Sequence, residues 1–85
     1  MVFELVFDKK TIKEMNKLPK KVKERIFLKL IESKKDPFNF FERLSGRLDY
    51  KARVGDYRII ADIKRDKNRI QVLRVGHRKN IYEKI

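Results

Sequence analysis

Apolar residues alternate with polar ones, then recur every three or four positions, then alternate again along this chain of 85 residues. In Val2–Phe7, Phe3, Leu5 and Phe7 alternate with Val2, Glu4 and Val6, the period of a strand. Asp8 stands where it can cap a helix, and Lys9–Leu18 sets Ile12, Met15 and Leu18 on one helical face. Pro19 blocks continuation of that helix but suits the first turn of another. A second helix is predicted from about Pro19 to Lys34, with Val22, Ile26, Phe27, Leu30 and Ile31 as a wide core stripe. So short a connection predicts an antiparallel helical hairpin packed on a sheet. Asp36-Pro37 ends the second helix. Phe38, Phe40, Phe41 and Leu44 follow in a short irregular or helical segment, dense enough in apolar groups to read as core, and Ser45-Gly46 makes a turn.

From Leu48 the pattern is all strand. Leu48–Val54 and Tyr57–Ile63 alternate around a Gly55-Asp56 turn, Arg65–Asn68 is a polar turn, and Ile70–Val75 is a β-branched run. Gly76 then releases the chain into a short basic tail, His77–Ile85. Strand, helix, helix and three strands make an α+β chain: an N-terminal strand and an antiparallel helical hairpin packed on a mainly antiparallel sheet. No repeat, linker or low-complexity tract interrupts it, so residues 1–85 are expected to form a single domain.

The hairpin carries the strongest signal. A two-residue Gly55-Asp56 turn sets Val54 against Tyr57, Ala52 against Ile59, Tyr50 against Ala61 and Leu48 against Ile63, which puts eight apolar or aromatic residues on one side. On the other side Arg53 faces Arg58 and Lys51 faces Ile60. Like charges directly opposite destabilise a sheet by up to about 1 kcal/mol, so an anion is expected to complete this patch. Asp49 and Asp62 share the face one step past Lys51, where they can pair with it but sit far from Arg53 and Arg58. The next strand should pair with Tyr57–Ile63 and return His77 and Arg78 toward Arg53 and Arg58, with Tyr82 close behind.

Charge agrees with that expectation. The net charge is +12, and seven of the nine arginines follow Leu44: Arg47, Arg53, Arg58, Arg65, Arg69, Arg74 and Arg78. Such a field draws polyanions or an acidic protein, and the guanidinium fork suits phosphate; the bland alternative is a lysine-rich solvated surface. There is no cysteine, one histidine and no acidic cluster for a divalent ion, so neither a metal nor another cofactor is expected. No apolar run approaches the roughly 18 residues of a membrane helix, and a cytoplasmic protein with no membrane partner is expected.

Lys, Arg, His and Tyr without a metal can still cleave RNA, because the substrate brings its own nucleophile, the 2′-hydroxyl. Fixed cations stabilise the charge that develops on phosphorus. His77 is a candidate proton carrier near neutral pH, and crowding by like charge makes Lys51 the candidate base.

The chain resembles the RelE/ParE superfamily of toxins from type II toxin–antitoxin systems. The resemblance runs over nearly all 85 residues: Phe7-Asp8-Lys9 before the first helix, Arg43-Leu44-Ser45-Gly46 before the hairpin, Arg53-Val54-Gly55-Asp56-Tyr57-Arg58-Ile59 around its turn, and Val75-Gly76-His77-Arg78 with Tyr82 beyond. It implies a microbial-ribonuclease-like RelE fold, cleavage of mRNA in the ribosomal A site, and inhibition by a RelB-like acidic antitoxin. By position, Lys51 and Arg53 match paired basic residues before the turn and Arg58 a phosphate-stabilising arginine. Arg78 matches an arginine tied to leaving-group protonation or charge stabilisation, and Tyr82 a tyrosine that stacks on or orients RNA. Arg53 stands where some members have a second lysine, which shifts weight to Lys51 as base, and His77 need not be catalytic. Three other functions fit the same residues: a ParE-like toxin poisoning DNA gyrase, a non-enzymatic basic nucleic-acid-binding module, and a decayed toxin that still folds.

Overall fold

A computed structural model describes residues 2–44 and 49–82. The elements run β1 (Glu4–Phe7), α1 (Lys9–Asn16), α2 (Lys20–Ser33), α3 (Pro37–Phe40), β2 (Glu42–Arg43), β3 (Tyr50–Val54), β4 (Tyr57–Lys64), β5 (Arg69–His77) and α4 (Arg78–Tyr82). A 3₁₀ turn at Arg65–Lys67 joins β4 to β5. One sheet takes the order β1-β5-β4-β3-β2. Its pairs are antiparallel except β1 with β5, which is parallel. The class is the α+β class expected. Ser45-Gly46 and the Leu48–Ile63 pairing lie outside the described residues.

The hairpin register is the one that the turn chemistry demands. Val54 pairs with Tyr57, Arg53 with Arg58, Ala52 with Ile59, Lys51 with Ile60 and Tyr50 with Ala61. Gly55 takes φ +59° while Asp56 stays at negative φ, the φ pattern of a type II′ turn. β5 pairs with β4 as predicted, with an irregularity at Ile60/Ala61: Ile60 faces Arg74 and Ala61 faces Val72, leaving Leu73 as a bulged extra residue.

Apolar residues of the predicted inward face form the core. Ile26 and Leu30 of α2 are fully buried against Ala52, Val54, Ile59, Ala61, Ile70, Val72 and Val75. Phe41 is buried, and Phe38 and Phe40 pack on the same cluster, so the aromatic segment is core as expected.

Two expectations fail for geometric reasons. Ile12, Phe27 and Ile31 do not enter the core; they are 47%, 43% and 43% exposed. Each helical residue turns the chain by about 100°, so once Ile26 and Leu30 face the sheet, Phe27 and Ile31 must point aside. Asp8 does not cap α1 with its side chain; its carboxylate accepts a hydrogen bond from Gln71 Nε2 at 2.7 Å instead.

α1 does more than cover a face. β1 ends at Phe7, opposite Val72, so among the described residues the rest of β5 has no strand on that side. α1 lies along this edge: Thr11 Oγ1 donates to the Val72 carbonyl at 2.9 Å, and Glu14 Oε1 accepts from the Val75 N–H at 3.1 Å. Arg74 completes the clamp with Nη2 3.0 Å from Glu14 Oε2. Among the described residues, no helix is long and apolar enough to cross a membrane.

Candidate functional site

Among the described residues β2 pairs with β3 at Glu42↔Lys51 and Arg43↔Tyr50, and the Leu44 N–H donates to the Asp49 carbonyl at 3.0 Å. Upstream of Glu42 the chain leaves the sheet for α3, because Pro37 starts a helical turn there. The divergence opens a hollow of about 580 Å³ between Phe38–Glu42 on one wall and Lys51, Ala52, Arg53 and Arg58 on the other. Three of the predicted cations therefore share one open concavity.

Arg53 is exposed, whereas Arg58 directly opposite is 6% exposed. Arg58 Nη1 donates to the carbonyls of Gly55 and Tyr57, both at 3.1 Å, so the turn itself holds the guanidinium. α4 covers the same face. Gly76 pairs with Arg58, and a Cβ built on Gly76 would stand 3.3 Å from Ile81 Cδ1. Ile81 is 1% exposed, and Ile60, on this face too, is 4% exposed. A small apolar cover of α4 thus lies beside the cations.

The start of α4 is tethered to the turn by the Arg78 N–H, which donates to the Asp56 carbonyl at 2.9 Å. That places the Arg78 backbone at the turn between Arg53 and Arg58, while the hollow itself is lined by Lys51, Arg53 and Arg58. Tyr82 closes α4. His77 goes elsewhere. It faces Tyr57 edge-on, ring centroids 5.4 Å apart, and lines a second hollow of about 410 Å³ with Glu14, Lys17 and Arg74. Its Nδ1 accepts from the Lys79 N–H at 3.3 Å, the contact of a helix N-cap. One residue of β-strand separates it from the Arg58 face, and that residue inverts its direction.

An acid that was not anticipated stands beside Lys51. Asp62 pairs with Lys64 at 4.0 Å. Lys51 Nζ instead lies 3.4 Å from Glu42 Oε1 of β2. Glu42 lines the hollow, and sequence reasoning passed over it because two residues of edge strand are too short to show a period. Among the described residues, no three His, Cys, Asp or Glu side chains gather as metal ligands would. Among the described residues, the chemistry open to the hollow is that of cations, one carboxylate and flanking aromatic rings.

Comparison with known proteins adds to this geometry. Over residues 5–82 the chain matches the family described as the ParE toxin of type II toxin–antitoxin system, parDE. It is similar to a solved structure of E. coli toxin RelE, a double arginine-to-alanine variant in the free state. The identity is 28% and the TM-score 0.80, over 98% of this chain and 93% of that one. It is also similar to a chain of the RelB–RelE antitoxin–toxin complex from Methanococcus jannaschii, at 27% identity and TM-score 0.75, over 94% and 98%. The archaeal RelE–RelB complex from Pyrococcus horikoshii gives 26% and 0.75, over 92% and 97%. No curated protein matches by sequence.

Proposed function

The chain belongs to the RelE/ParE superfamily of toxins from type II toxin–antitoxin systems, and on that premise we propose that it is a cytoplasmic endoribonuclease that cleaves mRNA in the ribosomal A site and so inhibits translation. One observation carries the proposal: Lys51, Arg53 and Arg58 line a single open hollow, with Arg78 tethered to the turn between them. An RNA phosphate seated there meets donors that are already in place, so stabilising the phosphorane needs no reorganisation. Attack by the 2′-hydroxyl leaves a 2′,3′-cyclic phosphate and a 5′-hydroxyl, without a metal. Arg58, held by two carbonyls, stabilises the charge on phosphorus. Lys51 and Arg53 bind and orient the backbone. Arg78 acts on the leaving-group side, and Tyr82 stacks on or orients the RNA. His77 serves this site by capping α4.

The proposed partners are the ribosome, mRNA and a RelB-like acidic antitoxin. Ile12, Phe27, Leu28 and Ile31 are exposed on α1 and α2. A Lys23–Asn16 hydrogen bond joins the end of α1 to the start of α2. Exposed Lys9, Lys13, Lys20, Lys21 and Lys29 lie on the same helices. An amphipathic acidic segment that folds on binding would match this apolar strip and its charge.

The test is a cell-free translation reaction with purified protein, with mRNA 5′ ends mapped by primer extension. New ends within codons are expected only when ribosomes are present, and Arg58→Ala should lower their yield by about 10²–10³-fold. The matched family description favours a second reading, a ParE-like gyrase poison. Intact mRNA together with inhibited DNA supercoiling would establish it instead.

A further inference from the structure

We propose that Glu42 is the proton acceptor of the reaction, a role that rests on the ribonuclease proposed above. Attack by the 2′-hydroxyl requires a group that can take its proton. Arginine cannot, because its guanidinium stays protonated, and the Lys51 ammonium, 3.4 Å from the Glu42 carboxylate, is itself a donor with no acceptor to offer. His77 lies in the other hollow with Nδ1 given to the Lys79 N–H. Glu42 is the one carboxylate among the described residues that line the hollow with Lys51, Arg53 and Arg58.

Its placement is built by the backbone. Glu42 stands opposite Lys51 in the β2–β3 register, and the ammonium lies 3.4 Å from Oε1. The Glu42 side chain is nevertheless 76% exposed, so it is reachable from the hollow and from solvent. For phosphate affinity alone a carboxylate at this rim is unfavourable, since it repels the ligand that its neighbours attract. For chemistry it supplies what the cations cannot.

In the step, the 2′-O–H bond breaks and its proton passes to Glu42 as the 2′-oxygen bonds to phosphorus. The P–O5′ bond then breaks, and the 5′-oxygen takes a proton from water. Glu42 returns its proton to solvent, so charge and atoms balance. Lys51 positions the carboxylate while Arg58 stabilises the charge on phosphorus.

The experiment is single-turnover cleavage of mRNA on programmed ribosomes by wild type, Glu42→Gln and Glu42→Asp. Glu42→Gln should lower the saturated rate by about 10²–10⁴-fold, the usual worth of a general base. It should also lower the concentration needed for half-saturation, because a repulsive charge is gone, and abolish the acid limb of the pH–rate profile. Glu42→Asp should recover part of the rate. On mRNA with sulfur replacing the scissile 5′-oxygen, the Glu42→Gln deficit should persist, because a thiolate leaves without an acid. Equal rates for wild type and Glu42→Gln would overturn the role and leave the ribonuclease standing. So would a deficit that vanishes with the sulfur leaving group. No cleavage even by wild type would overturn the ribonuclease, and Glu42's role with it.

Discussion

Two glycines flank the cationic residues, and each is required for a different reason. At Gly55 the backbone takes φ +59°, while the nearest atom to an added Cβ, Arg25 Nη1, is 3.8 Å away. Space is ordinary there and conformation is the constraint. Gly55→Val should therefore destabilise by about 1–2 kcal/mol through left-handed strain, and Gly55→Asn by less. Gly76 is the converse, with no positive φ but Ile81 only 3.3 Å from an added Cβ. Gly76→Leu should cost about 1–3 kcal/mol by overpacking and lift α4 from the sheet. Urea denaturation midpoints would rank these variants. A loss for Gly55→Asn as large as for Gly55→Val would contradict the strain account.

At the scale of elements, the end of β5 is held by side chains rather than by a neighbouring strand. Glu14 alone accepts from the Val75 N–H and from Arg74, and both Glu14 and Arg74 are about four-fifths buried, with side chains 21% and 23% exposed. Glu14→Ala leaves that N–H without its acceptor and should cost about 1–3 kcal/mol. Glu14→Gln retains an acceptor oxygen but no charge. Native-state hydrogen exchange at the Val75 amide separates the two: protection should fall in Glu14→Ala and largely survive in Glu14→Gln. His77 makes a similar junction at the start of α4, where Nδ1 faces the Lys79 N–H. A histidine adjacent to a cationic site can thus act on it by holding a helix in place.

For the whole molecule, the net charge of +12 and the exposed strip of Ile12, Phe27, Leu28 and Ile31 lie on one chain but call for different partners. The hollow suits a polyanion, and the strip suits an apolar face bordered by acids. Ile31→Glu changes an exposed position, so its effect on stability should stay within about 0.5 kcal/mol. It should nevertheless weaken capture of the proposed acidic antitoxin, as read by titration calorimetry. Binding of that antitoxin should weaken as salt rises toward a Debye length of about 3 Å at 1 M. Unchanged affinity in Ile31→Glu would move the docking surface off the helical hairpin.

Much of this molecule follows from local rules that operate within a few residues. The Gly55-Asp56 turn, the alternation on either side and the Arg53–Arg58 opposition were legible, because a two-residue turn leaves one register and period two leaves one set of inward residues. The return of Arg78 to the turn followed from antiparallel pairing. What only the tertiary structure decided involves choices between non-neighbours. The parallel pairing of β1 with β5 depends on how α1 and α2 carry the chain across the sheet, and the bulge at Leu73 on how β5 settles against β4. Helical period showed that α2 has an apolar stripe but not its angle to the sheet, so Phe27 and Ile31 read as core when they lie outside it. The carboxylate beside Lys51 could not be read from the sequence for the same reason: Glu42 is nine residues away, on an edge strand too short to have a pattern, and only the closing of β2 onto β3 brings the two charges together.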